Sequence, residues 1–178
     1  MIIGLSGVAR SGKDTIADYL VKNYGFTKVS FADPIREALV RLNPEIDVDG
    51  YDMRLSTAVS LLGWEQLKDA SKGIRGLMQR MGTEVGREMF GDDVWVNIAL
   101  NSISPEMKAV ITDVRYPNEA DAIQKAGGRL WRIERPGVGP ANEHASESAL
   151  DTYEFPTKLT NQGTLEDLYK FIDLALDK

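Results

Sequence analysis

The run Gly7-Val8-Ala9-Arg10-Ser11-Gly12-Lys13-Asp14-Thr15 follows directly on the apolar stretch Met1-Ile2-Ile3-Gly4-Leu5. A buried strand, a Gly-x4-Gly-Lys loop and an amphipathic helix in that order leave few folds open. The strand must enter a parallel sheet, and the helix must cover one of its faces. The spacing also has a chemical reading. Glycines let backbone N–H groups curl around a phosphate, the lysine reaches the terminal oxygens, and the helix aims the positive end of its dipole at the same anion. The loop is expected to hold a nucleoside triphosphate through Arg10, Ser11, Gly12, Lys13, Asp14 and Thr15.

The hydroxyl that usually follows the lysine is replaced by Asp14, with Thr15 next. A neutral oxygen there would ligate Mg²⁺, whereas a carboxylate is a charged, hard ligand. Asp14 either binds the metal directly, holds it through water, or leaves the task to Thr15. Successive helical residues diverge by about 100°, so Thr15 does not stand where a hydroxyl at 14 would. The substitution argues against GTPases and motor ATPases and for a smaller set of P-loop kinases.

Helix-period residues Ile16, Ala17, Leu20, Val21 and Tyr24 run to Gly25, a natural stop. A short strand is expected at 27–31, then a helix opened by Asp33 as N-cap and Pro34 in its first turn. Residues 43–53 read as a polar loop. A helical region spans about 55–103, with breaks near Gly63 and at 91–93. Strands are expected at 107–112, 129–134 and 158–160, and helices at 118–126 and after the cap Thr164. Five strands alternating with helices predict an α/β fold, a five-stranded parallel sheet with helices on both faces. The whole chain reads as one kinase domain. Its core is about 1–33 and 106–178, a helical substrate-binding insertion occupies about 34–105, and the Pro/Gly-rich segment 136–150 resembles a lid loop.

Val110-Ile111-Thr112-Asp113-Val114-Arg115 delivers an acid and then an arginine to the carboxyl end of a strand, where ligands lie in such sheets. Asp113 is expected to hold Mg²⁺ or its water shell and Arg115 to face the transferred phosphate. Arg80, Glu84 and Arg87 fall on one face of an α-helix, and a guanidinium fork suits a phosphate better than any other side chain. Arg135 ends a strand just before the lid segment. Trp64, Trp95 and Trp131 read as core residues, although Tyr51, Trp64, Phe90 and Trp95 are also available to line a base slot. His144 is the only histidine, so a histidine-based metal site is not expected.

Composition narrows the partners. A net charge of −6 over 178 residues opposes a nucleic-acid polymer. The absence of cysteine removes disulfides and thiolate metal sites and fits a reducing compartment. No apolar run is long enough for a membrane span, and no basic region precedes the first one as in a signal peptide, so a cytoplasmic location is expected.

Ser11-Gly12-Lys13-Asp14-Thr15, Ser30-Phe31-Ala32-Asp33-Pro34-Ile35-Arg36, Arg80-Met-Gly-Thr-Glu-Val-Gly-Arg87, Asp113-Val-Arg115-Tyr-Pro-Asn118-Glu119, His144-Ala-Ser146-Glu147 and Asn161-Gln-Gly163 together resemble, in order, the deoxynucleoside monophosphate kinases of bacteriophages. A more distant similarity is to animal-type phosphomevalonate kinase. The resemblance implies a nucleoside-monophosphate-kinase-like P-loop NTPase fold, Mg²⁺, ATP and a deoxynucleoside monophosphate as substrates, and often a homodimer. In a phage-encoded enzyme the site of action would be the host cytoplasm. The resemblance places Lys13 and Asp14 in the phosphate loop, and Asp33, Arg36, Arg80, Glu84, Arg87, Trp95 and Glu119 on the acceptor side. Asp113 and Arg115 then stand between the two nucleotides. Same-fold kinases of phosphomevalonate or a coenzyme A precursor are the alternatives. A guanine-nucleotide switch would need an Asn-Lys-x-Asp motif, and Asn161-Gln-Gly-Thr lacks its lysine and its acid.

Overall fold

The computed structural model describes residues 1–139 and 149–177. Within it the chain divides into two compact units, Met1–Ser30 with Leu100–Lys178, and Phe31–Ala99.

The first unit is built on β1 (Ile2–Ser6), β2 (Thr27–Val29), β5 (Ala109–Ile111), β6 (Arg129–Glu134) and β7 (Thr157–Thr160). Every pairing is parallel, and the strand order is β2-β5-β1-β6-β7. This is the predicted five-stranded parallel sheet. Among the described residues, three helices serve it: α1 (Lys13–Tyr24), α7 (Pro117–Lys125) and α8 (Leu165–Leu176). Side-chain alternation along β1 shows why both faces are covered. Ile3 and Leu5 pack in one cluster with Ile16 and Leu20 of α1 and Leu168 and Ile172 of α8. Gly4 faces the other way, beneath Ile123 of α7. Helix α1 stops at Gly25 in the left-handed region, φ 70°. Helix α8 begins at a capping box, Thr164 Oγ1 accepting from the Asp167 amide at 3.2 Å. The amide and hydroxyl of Thr164 in turn hold the Asp167 carboxyl below the usual carboxylate range.

The second unit contains α2 (Asp33–Leu42), a hairpin of β3 (Glu45–Val48) and β4 (Tyr51–Arg54), α3 (Leu55–Ala70), α4 (Ile74–Arg80), a π-helical turn at Met81–Arg87, α5 (Glu88–Phe90) and α6 (Val94–Asn101), which runs two residues beyond it. Its core is Leu39, Val48, Leu55, Ala58, Leu67 and Ile74. Three sequence expectations need correction here. Residues 43–53 are not a loop, because Asp49 and Gly50 both take positive φ (51° and 88°) and close a two-residue hairpin turn between short strands. Asp33 is not the N-cap of α2. Ala32 holds that position, and Asp33 is in the first turn, where its carboxylate accepts from Arg36 Nη1 at 2.9 Å. The long helical region breaks at the expected Gly63 (φ 69°) and again at 71–73, where Ser71 takes an extended conformation.

The π-turn revises the geometry of the arginine face. Its i→i+5 bonding, seen where the Glu88 amide donates to Thr83 O, winds more residues into each turn than an α-helix does. The seven-residue step from Arg80 to Arg87 therefore does not return to the same face. Arg80 and Glu84 are exposed, and Arg87 is half-buried. The wide turn also frees Gly82 O to accept from Trp95 Nε1 at 2.8 Å, and it brings Gly86 against the Trp95 ring. A Cβ at Gly86 would collide with the indole. Gly86→Ala is expected to destabilise the protein by about 1–3 kcal/mol through overpacking, read as a lowered midpoint of thermal unfolding. A wild-type midpoint would show that the ring can retreat without cost.

Candidate active site

The loop between β1 and α1 is shaped by glycines and tied at several points. Gly12 has φ 110°, and a Cβ there would lie 2.5 Å from Asn161 Nδ2. A side chain at 12 is thus excluded by both backbone conformation and space. Asn161 uses that proximity: its Nδ2 donates to Ser11 O at 2.9 Å, while its own amide donates to Glu134 O at 2.7 Å. The loop is thereby pinned to the carboxyl ends of β6 and β7. Arg10 sits in the left-handed region (φ 64°), and its carbonyl accepts from Arg135 Nη1 at 3.4 Å. Lys13 Nζ reaches back across the loop to Gly7 O at 2.6 Å and Val8 O at 2.9 Å. Ser11 Oγ is fully buried with no hydrogen-bond partner among the described residues. Asp14 is exposed on the first turn of α1, with Thr15 half-buried beside it.

The carboxyl end of β5 supplies the second element. Asp113 Oδ2 accepts from Ser30 Oγ, at the end of the neighbouring β2, at 2.6 Å. Glu119 is only 3 % exposed, and its Oε2 accepts from the amides of Arg115 (2.7 Å) and Tyr116 (3.1 Å). Its carboxylate thus closes the α7 N-terminus and fixes the backbone that carries Arg115. A narrow cavity of about 50 Å³ gathers Lys13, Asp113, Arg115 and Arg132. A neighbouring cavity of about 290 Å³ is lined by Val8, Ile133, Pro136 and Val138 together with Arg132, Glu134, Arg135 and Thr160.

Arg36, Arg80, Glu84, Arg87 and Trp95 all lie in the Phe31–Ala99 unit. Arg36 donates to Asp33 and stands 3.9 Å from Glu65, while its Nε is buried without a partner among the described residues. The Glu65 carboxyl is held below its usual range, first by its hydrogen bond to Lys68 and further by the charges of Lys68, Arg36 and Arg75. Trp95 is buried and its N–H is used within the unit. His144 and most of the 136–150 segment fall on 140–148, outside the described residues.

Sequence reasoning missed Arg132. Its signal was an arginine between the buried Trp131 and Ile133 of the strand Arg129-Leu-Trp-Arg132-Ile-Glu134, in a parallel sheet, whose inner strands are otherwise buried.

Metal binding can be tested on the donors present. No cluster of three His, Cys, Asp or Glu occurs among the described residues, so these form no all-protein cage. The carboxylates of Asp113 and Asp14 and the hydroxyl of Thr15 are hard oxygen donors beside a phosphate loop. That set fits Mg²⁺, which takes one or two carboxylates and completes its shell with phosphate and water.

A parallel sheet of order 2-5-1-6-7 with a phosphate loop leaving its central strand, and an acid and an arginine at the end of the adjacent strand, define a P-loop kinase. The sequence profile of deoxynucleotide monophosphate kinases matches residues 1–58 and 60–172. The chain belongs to the deoxynucleotide monophosphate kinase family. The deoxynucleotide monophosphate kinase of Escherichia phage RB69 is 28% identical, over 98% of this chain and 99% of its own. A protein of Acanthamoeba polyphaga mimivirus is 31% identical, with 99% and 96% covered. Among solved structures, the APS kinase of Mycobacterium tuberculosis aligns with a TM-score of 0.46 at 12% identity, covering 99% of this chain and 96% of that one. No helix among the described residues is long and apolar enough to cross a membrane.

Proposed function

We propose that the protein transfers the γ-phosphoryl group of ATP to the 5′-phosphate of a deoxynucleoside monophosphate, giving the diphosphate and ADP. The observation that carries this reading is the meeting of Lys13, Asp113 and Arg115 in one cavity at the mouth of the phosphate loop. The acceptor is itself a phosphate with a second pKa near about 6, so it is mostly dianionic at neutral pH and needs no general base. The protein's task is then to position two anions and to neutralise charge as the phosphoryl group moves between them.

In this reading the loop amides and Lys13 hold the β- and γ-phosphates, and Arg115 faces the phosphoryl group in transit. Glu119 keeps the Arg115 backbone in place. Mg²⁺, held by Asp113 and by Asp14 or Thr15, supplies charge neutralisation on the ATP phosphates when bound. Arg10 and Arg135 border the donor site, and the cavity beside them, with Val8, Ile133, Pro136 and Val138 among its lining, suits the base of ATP. Arg36, Arg80 and Arg87 are the proposed acceptor-phosphate ligands. Arg36 is the strongest of these, because a buried guanidinium N–H without a partner is costly unless a ligand takes it. Arg36→Met is expected to raise the Michaelis constant for the deoxynucleotide by about tenfold or more, a charge-assisted hydrogen bond being worth about 1.5–3 kcal/mol. The constant for ATP should stay near wild type. Equal loss for both substrates would remove Arg36 from the acceptor site.

The assembly we propose is a homodimer acting in the host cytoplasm, supported by the family resemblance and checked by light scattering in solution. The reaction is tested by ADP release with each of the four deoxynucleoside monophosphates, phosphomevalonate and dephospho-coenzyme A. Silence with every deoxynucleotide would overturn the reading.

A further inference from the structure

Arg132 is the residue of the first unit whose cost is hardest to explain without a ligand. It lies in β6, which is paired on both sides, between the buried Trp131 and Ile133. Its strand partner in register is Ser6, the last residue of β1 before the phosphate loop. The side chain is only 17% exposed. Its contacts among the described residues are modest. One guanidinium nitrogen donates to Ser6 Oγ at 3.2 Å, another reaches Asp151 Oδ1 at 3.3 Å, and the Phe155 ring lies 5.7 Å away.

Those contacts do not account for a nearly buried cation. A guanidinium matched to a carboxylate makes two parallel bonds of about 2.7–2.9 Å, and here a single long one is made. An apolar side chain of similar volume would serve packing as well or better, since replacing a buried ion pair by hydrophobic residues is often neutral or stabilising. The position is informative. Arg132 lines the cavity that holds Lys13, Asp113 and Arg115, and it also lines the larger cavity beside it, between Val8 and Val138. A nucleoside triphosphate laid with its base in the larger cavity and its terminal phosphates at Lys13 must pass the guanidinium.

We propose that Arg132 is a phosphate-binding residue of the donor site, with Asp151 as the carboxylate that occupies its fork until a nucleotide phosphate takes it over. The inference rests on the kinase reading for the identity of the nucleotide. It differs from a structural role in what it requires of Asp151. If Arg132 merely ties down the segment after residue 148, the two residues form one strut and loss of either has the same effect. If Arg132 binds phosphate, Asp151 competes with the ligand, and the two losses have opposite effects.

The test uses the full-length protein with Arg132→Met, Arg132→Lys and Asp151→Asn. It measures the dissociation constant of ATP alone by calorimetry, the thermal midpoint without nucleotide, and then kcat and KM with a deoxynucleotide acceptor. Arg132→Met is expected to weaken ATP binding by about tenfold or more, the loss of a charge-assisted hydrogen bond, while keeping its midpoint within a few degrees. Arg132→Lys should fall between Met and wild type, because it keeps the charge without the fork. Asp151→Asn should leave ATP binding unchanged or tighter. Wild-type affinity in Arg132→Met overturns the proposal. Weakened ATP binding in Asp151→Asn also overturns it, and that result stands even if Arg132→Met fails to fold. Because the binding arm uses ATP alone, it is read independently of which acceptor the enzyme phosphorylates.

Discussion

Lys13→Ala is expected to lose at least about a thousandfold in turnover, corresponding to about 4 kcal/mol of transition-state stabilisation, and to remain folded. The ammonium is the one cation of the phosphate loop that already bridges it, through Gly7 O and Val8 O. Removing it costs those two charge-assisted, partly buried loop hydrogen bonds and leaves untouched the cluster of Ile3, Leu5, Ile16 and Leu20 that holds β1 to α1. Single-turnover rates at saturating nucleotide, set beside circular dichroism and a thermal melt, separate the two effects. Wild-type turnover in this variant would sink the phosphate-loop assignment.

Arg115→Lys should lower kcat more than it raises either Michaelis constant, with a loss of about 2–4 kcal/mol of transition-state stabilisation. Lysine keeps the charge but not the planar pair of donors. The backbone at 115 and 116 remains clamped by Glu119, so the substitution changes the side chain without releasing the loop. A change confined to the Michaelis constant of the deoxynucleotide would make Arg115 a ground-state clamp. Unchanged kinetics would make it a surface residue.

What the sequence made legible follows from how local each signal is. β1, the phosphate loop and α1 were readable because strand, glycines, lysine and helix period are contiguous between residues 1 and 25. The strand at 129–134 and the Thr164 cap were readable for the same reason. The hairpin at 45–54 was hidden because its strands, Glu45-Ile-Asp-Val48 and Tyr51-Asp-Met-Arg54, alternate polar and apolar over only four residues each, too short a run to stand out, and the Asp49-Gly50 turn carries most of the information. The π-turn was hidden because Arg80, Glu84 and Arg87 have a spacing that an α-helix would align, and only the bonding pattern shows otherwise. Arg132 was hidden by register. A charged residue in mid-strand was visible locally, but its meaning depends on pairing with Ser6, 126 positions earlier, which the local pattern does not report.

The position of β1 at the centre of the sheet has a consequence for the order in which the protein can form. Ile2 pairs with Ala109, and Ile3 with Arg129, so β1 has no sheet partner until the chain has been made as far as residue 109. The Phe31–Ala99 unit draws its core from its own short span of sequence and has no such wait. Low-separation contacts close early and distant strand pairings close late. The phosphate loop is therefore made well before it can acquire its shape. One of its ties, the side chain of Asn161 to Ser11, becomes available only once residue 161 has been made. A nascent chain arrested before that residue would carry every loop residue from Gly7 to Thr15 and still lack the brace that holds them in binding geometry.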